Sequence, residues 1–221
     1  ILNKPMVNIV TVEDPVEYNM RYVNQTQINT QAGITFASGL RAILRQDPNI
    51  IMVGEIRDAE TAGIAVQAAL TGHLLLSSLH TNDAPTVIPR LFDLEVPPFL
   101  VVSVLNVIIA QRLVRRVCQS CIYSYEPSLE IIKVIKIQLE QLSLDFNKVK
   151  LPKNFFHGKG CSSCGMTGYR GRLGIYEVLD VGEDIKKIII SPDFSLEKLH
   201  KAVKDNGMIS MFEDGLKKVE L

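Results

Sequence analysis

Tryptophan is absent, and aromatic residues make up only 6% of the 221 residues. An excess of either charge is missing too, because 24 basic side chains face 24 acidic ones. Without a net field, and without basic residues interleaved with aromatic ones, the sequence gives no sign of binding nucleic acid or an anionic bilayer. No charged head followed by a long apolar stretch opens the chain, so no secretory leader is expected. The most apolar run, Phe99–Ala110, reads FLVVSVLNVIIA. About a dozen residues are too few to span a bilayer, and the run is expected to be a buried helix. These absences describe a soluble, cytosolic protein, and nearly half of the residues are apolar, enough for a substantial core.

Short apolar strands alternate with helical patterns along the first half. NIVTV at Asn8–Val12 is β-branched, Tyr22–Ile28 alternates with period two, and IIMV and LLL at Ile50–Val53 and Leu74–Leu76 are continuously apolar. Between them, Thr35–Gln46 has helical spacing and stops at Asp47-Pro48, and Ala59–Leu70 is an alanine-rich helix. A third helix is expected over Asp83–Leu91, a fourth from Pro97-Pro98 through Arg112, a strand over Leu173–Leu179, and closing helices over Ile185–Ile190 and Leu196–Val203. Alternation of this kind implies an α/β fold with a largely parallel sheet, its IIMV and LLL strands buried on both faces.

Three of the apolar strands run into ionisable groups. NIVTV leads to Glu13, Asp14 and Glu17; IIMV leads to Gly54-Glu55; LLLSSL leads to His80. If the strands are parallel neighbours, these groups meet at the carboxyl edge of the sheet, where open α/β folds place their ligands. Gathered carboxylates repel one another, and a cation relieves that repulsion; Mg²⁺ carried by a nucleoside triphosphate would supply it. Each residue also has a plainer reading. Glu17 alone is a solvated turn acid, His80 alone a hydrogen-bonded structural histidine, and Arg41 with Arg45, one helical turn apart, a solvated helix face.

The segments TVEDPVEY, GLRAILRQDPNIIMVGEIRDAETAGIAVQAALTGH and LLLSSLHTNDA together resemble the secretion ATPase superfamily, specifically its type II secretion and type IV pilus assembly members. The resemblance implies a RecA-like fold of the phosphate-loop NTPase class, acting as a hexameric motor. It implies ATP and Mg²⁺ as ligands, an inner-membrane platform protein as partner, and a cytoplasmic location peripheral to the inner membrane. On matching positions, Glu17 would orient and deprotonate the attacking water, with Glu13 the alternative base and Asp14 shaping the pocket. Glu55 would hold Mg²⁺ through its water shell, and His80 would meet the γ-phosphate. His73 opens the same motif as His80, and Arg41 and Arg45 would meet phosphate or a neighbouring subunit. The pattern G-x-x-x-x-G-K-[S/T], whose backbone cradles the β- and γ-phosphates, does not occur in these residues. In the family it precedes the TVEDPVE segment, so these 221 residues alone are expected to bind ATP poorly. Glu95 stands where relatives commonly place glycine.

Cys118 and Cys121 form one C-x-x-C pair, and Cys161 and Cys164 form another. Two such knuckles complete a tetrahedral S₄ site for structural Zn²⁺ with no open position. Redox dithiols and disulfides are the competing readings; the first lacks its βαβ context and the second is disfavoured in a reducing compartment. By resemblance, this insertion marks secretion and pilus-extension members. Three segments are therefore expected: an ATPase core over 1–116, a zinc insertion over 117–169 with little core of its own, and the remainder of the core over 170–221. The basic cluster Arg112, Arg115 and Arg116 reads as a subunit interface. A non-catalytic, zinc-stabilised assembly module is the alternative function, and a zinc-ribbon nucleic-acid binder a weaker one.

Overall fold

The computed structural model describes residues 2–142, 146, 149 and 151–219. The chain packs as two compact units, Ile1–Ile108 with Leu179–Asp205, and Ile109–Val178 with Asn206–Leu221.

The first unit is built on a four-stranded parallel sheet. Its strands are β1 (Ile9–Glu13), β2 (Val23–Gln27), β3 (Ile50–Val53) and β4 (Leu74–Ser77), in the order β2-β1-β3-β4. Ile9 lies opposite Val23 on one side and Ile50 on the other, and Ile50 lies opposite Leu74. Helix α1 (Phe36–Ile43) follows β2 and α2 (Ala59–Leu70) follows β3. Thr35 caps α1 in a reciprocal box with Ser38, and Asp58 caps α2 by accepting the Thr61 N–H at 2.7 Å. Leu40 and Ile43 of α1 are sealed from solvent with Val10, Val12, Ile51 and Val53 of the sheet. Gly39 lets the helix approach closely, because a Cβ there would lie 3.1 Å from a Val12 methyl. A 3₁₀ turn over Leu44–Gln46 continues α1 until Asp47 breaks it in the left-handed region at φ 49°.

The edge strand departs from expectation. Leu74 and Leu76 are each 46% exposed, so LLL is not buried on both faces. β4 has a strand neighbour on one side only among the described residues, and apolar composition alone does not distinguish an edge strand from a central one.

Beyond β4 come α3 (Val87–Asp93) and α4 (Pro98–Val104). α3 begins later than expected because the Asp83 side chain accepts the Thr86 N–H at 2.9 Å, holding Ala84–Thr86 as a turn. Glu95 adopts φ 62° just after this helix, which is the conformation that favours glycine there. The expected long helix through Arg112 is overturned. α4 stops at Val104, and residues Val107–Val117 form strand β5. Asn106 divides the apolar run, and β-branched Val107, Ile108 and Ile109 favour the strand, which pairs with a later one. Helices α6 (Glu183–Ile189) and α7 (Leu196–Asp205) close the unit as expected, burying Ile185, Ile189, Leu199 and Val203.

The second unit contains two small sheets. β6 (Ile122–Tyr125) pairs antiparallel with β7 (Phe155–Gly158), and β8 (Tyr169–Asp180) pairs with β5. Helix α5 (Leu129–Gln141) intervenes, and α8 (Met211–Lys218) ends the described chain. The insertion shares a core with α8. Ile135, Leu139 and Leu216 are buried together, flanked by Ile131, Phe146, Val149, Leu151, Phe155 and Phe212. Isoleucines and leucines at helical spacing on α5 supply it.

Truncating a sealed residue should cost far more than changing the open edge. Leu40→Ala is expected to lower unfolding stability by about 2–5 kcal/mol, while Leu76→Ser stays within about 0.5 kcal/mol, as urea denaturation would report.

Candidate active site and metal centre

The parallel register fixes what lies at the carboxyl edge of the first unit. Val12 pairs with Val53, and Val53 with Ser77, so Glu13, Glu55 and His80 follow three adjacent strand ends. Backbone bonds brace this rim. The Gly54 N–H donates to the Val12 carbonyl at 2.7 Å, the Ile56 N–H to the Ser78 carbonyl at 3.0 Å, and the Ser78 hydroxyl to the Gly54 carbonyl at 2.6 Å. Residue 54 must be small here, since a Cβ would sit 3.2 Å from the Val12 oxygen.

Glu55 is only 8% exposed. Arg57 Nη2 approaches its Oε1 at 2.6 Å, and His80 Nε2 lies 2.8 Å from its Oε2. The Arg57 guanidinium holds the Glu55 carboxyl below the usual carboxylate range, and the His80 contact works in the same direction against burial. Glu55 in turn raises the Arg57 pKa, with Asp14 adding a smaller pull. The sequence reading missed Arg57; its signal was a cation two residues beyond the strand-end acid in GEIRD.

Glu13 is equally enclosed and accepts hydrogen bonds at Oε1 from the Thr11 hydroxyl, 2.5 Å away, and Gln25 Nε2, 2.9 Å away. Asp14 and Glu17 are exposed on the loop that leaves β1. The Glu17 side chain has no partner among the described residues. The loop itself is held by β2: Gln27 Oε1 accepts the Val16 N–H, and Gln25 Nε2 donates to the Tyr18 carbonyl. These glutamines also escaped the sequence reading, since alternating polar residues on an edge strand look like a solvated face.

The remaining candidates lie elsewhere. Arg41 spans from α1 to Glu60 at the start of α2, 2.5 Å away. Arg45 sits in the exposed turn after α1, whose Gln46 and Asp47 carbonyls accept from the Asn8 side chain at the amino end of β1. His73 precedes β4, with Nδ1 bound to the Ala68 carbonyl at 2.9 Å and the Thr71 hydroxyl at 3.1 Å. It finishes α2 at the opposite edge from His80.

The four acids do not converge on one point: among the described residues, the only cluster able to hold an ion is the cysteine set. Mg²⁺ needs no such cage, being held by one or two carboxylates while phosphates and water complete its octahedron. The ionised Glu55 fits that role.

In the second unit, the sulfurs of Cys118, Cys121, Cys161 and Cys164 lie within 4.8 Å of one another. Three pairs stand at 3.8–4.0 Å, matching the edge of about 3.8 Å that Zn–S bonds of about 2.3 Å impose on a tetrahedron. All four thiols are free, with these sulfurs well beyond the length of a disulfide bond. The Cys161 and Gly168 N–H groups donate to Cys164 Sγ at 3.2 and 3.3 Å. The first is the main reason its thiol is held down to about 6; burial pushes Cys121 up to about 12. Two backbones meet at glycine beside this site: a Cβ on Gly158 would lie 2.1 Å from the Gly168 oxygen. Arg112, Arg115 and Arg116 are exposed, and Arg115 stacks 4.1 Å over the Tyr169 ring.

The profile of the family described as Type II/IV secretion system protein matches residues 1–221. The chain is 46% identical over 214 residues to the type IV pilus assembly ATPase PilB of Thermus thermophilus, covering 97% of the chain and 23% of that relative. It is 46% identical over 220 residues to the type II secretion system ATPase E of Vibrio cholerae, covering 99% of the chain and 41% of that relative. The chain therefore spans well under half the length of these relatives. Among solved structures, the pilus retraction motor PilT with bound ADP superposes with a TM-score of 0.56 at 25% identity, over 94% of this chain and 51% of that one. The Legionella pneumophila ATPase DotB gives 0.59 at 20% identity over 96% and 47%, a likeness of fold.

Arg57→Met should move the Glu55 titration upward, as carboxyl NMR would show. The depressed Glu55 pKa adds stability that is complete above the ordinary carboxylate range and lost as pH falls through the folded pKa; in the variant that contribution should be smaller and its loss complete at a higher pH. A strong chelator should speed amide exchange over 118–121 and 161–168 while the core at Ile135, Leu139 and Leu216 stays protected. Unchanged exchange at the knuckles would count against structural zinc.

Proposed function

The chain belongs to the Type II/IV secretion system protein family, and from that premise we propose that it is the motor portion of an ATPase driving protein secretion or pilus assembly. The observation that carries the proposal is Glu55 joined to His80 at the sheet's carboxyl edge, with the Glu17 loop leaving the neighbouring strand.

Phosphoryl transfer depends on positioning and charge neutralisation more than on covalent chemistry. Bound Mg²⁺ supplies neutralisation of the β- and γ-phosphate charge, and Glu55 would hold its water shell. Glu17, exposed and without a partner among the described residues, accepts a proton from the attacking water, whose oxygen bonds the γ-phosphorus as ADP leaves. Glu13 stands behind it as the alternative acceptor, Asp14 shapes the loop, and His80 meets the γ-phosphate with its ring oriented by Glu55. Arg57, freed from Glu55 when the site fills, is a further cation for the triphosphate. Arg41 and Arg45 project from α1 and its following turn, suited to a neighbouring subunit of a hexamer. The tetracysteine unit would bind Zn²⁺ and brace the region that meets an inner-membrane platform protein, on the cytoplasmic side. Arg112, Arg115 and Arg116 belong to that contact surface. The alternative role, a zinc-stabilised assembly module without catalysis, predicts that the rim residues are dispensable for ATP turnover.

Turnover should therefore be measured on the full-length protein, which in this family carries the phosphate loop upstream of this region. Glu17→Gln and Glu55→Gln are each expected to lower kcat by about 100-fold or more, and calorimetry on the 221-residue chain alone should show weak ATP binding. Undiminished kcat in both variants would replace the motor reading with the assembly module.

A further inference from the structure

The loop that carries Glu17 has an unusual mode of attachment. None of residues 14–20 is buried; Val16 is half-buried, and Tyr18 and Met20 are 80% and 44% exposed. Apolar packing therefore does not hold the loop. Instead, polar side chains of β2 reach its backbone at alternate residues. Gln27 Oε1 accepts the Val16 N–H at 3.3 Å. Gln25 Nε2 donates to the Tyr18 carbonyl at 3.0 Å, and Gln25 Oε1 accepts the Met20 N–H at 2.7 Å. Glu17 lies between the first two anchors.

Gln25 does a second thing with the same amide. Its Nε2 also donates to Glu13 Oε1 at 2.9 Å, the oxygen already bound by the Thr11 hydroxyl. In register, Thr11 faces Gln25 and Glu13 faces Gln27, so the four side chains line one face of the β1–β2 pair. Val10 and Val12 occupy the other face, sealed in the core. The orientation of the amide is fixed by chemistry: a carboxylate and a carbonyl both demand its NH₂, and a backbone N–H demands its oxygen.

We infer that Gln25 is a positioning residue that sets the Glu17 carboxylate relative to the strand-end acid Glu13. It acts through the loop backbone and touches neither phosphate nor water, and this role rests on the reading of Glu17 as the proton acceptor. A glutamine suits the task because it bridges two acceptors and one donor while remaining uncharged beside the Glu13 carboxylate. Glutamate in its place would set a second negative charge against Glu13 and a carboxylate against the Tyr18 carbonyl.

The test uses the full-length protein with ATP. Gln25→Met keeps the length of the side chain and removes its hydrogen bonds. It is expected to lower kcat by about 10–100-fold with KM for ATP nearly unchanged, to lower Tm modestly because enclosed Glu13 loses a donor, and to speed exchange of the Met20 amide. The kcat of Gln25→Glu relative to wild type should rise as pH falls, because the protonated carboxyl regains one of the two donors while loss of the Glu17 base is common to both proteins. Full turnover in Gln25→Met, alongside an inactive Glu17→Gln, overturns the positioning role alone. Full turnover in Glu17→Gln overturns the proton-acceptor reading and this inference with it. If Gln25→Met folds poorly, the wild type decides: an unprotected Met20 amide overturns the clamp.

Discussion

Parallel, in-register pairing of β1, β3 and β4 is the constraint on which the first unit depends. Once Val12, Val53 and Ser77 share a row, the residues that follow them have no choice of side. The carboxylates and the imidazole are brought to one edge by hydrogen bonding between backbones, and their own attraction does not have to assemble them. The sealed Val10, Val12, Ile51 and Val53 beneath hold that row in place. Stability is thus supplied by one layer of the unit and chemistry by the next, one to four residues further along each strand.

At the edge itself, charge balance is local. Glu55 is nearly enclosed and would be costly to ionise alone, yet a guanidinium and an imidazole reach it from either side. Both partners are mostly exposed, so they can swing away without exposing the core. Glu13 is satisfied differently, by a hydroxyl and a neutral amide. Two acids close in sequence pattern are therefore in distinct settings, one paired with cations and one held by neutral donors, and they are suited to distinct tasks.

Much of this was legible in the sequence because the relevant signals are local. Apolar runs ending in acids gave the strands and their rim; C-x-x-C pairs gave the four-sulfur cluster, whose tetrahedral spacing suits a metal ion. What escaped depended on partners distant in sequence. The stretch Val107–Ala110 was read as helix, since its β-strand state requires β8, some sixty residues later. The exposure of Leu74 and Leu76 depends on what covers the face of β4 they share, which hydropathy does not encode. Gln25 and Gln27 looked like solvent-facing residues of a half-buried strand until the loop folded over them. The core of the zinc unit was overlooked because α5 must meet α8 and residues near 146–155 before its isoleucines have anything to pack against.

The open side of β4 has a practical consequence for the protein in solution. A short strand with bare amides and carbonyls, and with leucines at Leu74 and Leu76 turned outward, is a template for strand addition. Leu74–Ser77 holds no charged residue or proline as a gatekeeper, which leaves it open to addition of an extended apolar segment. In the 221-residue chain on its own, that segment is most readily another molecule's β4, so self-association would grow with protein concentration and set the ceiling on its solubility.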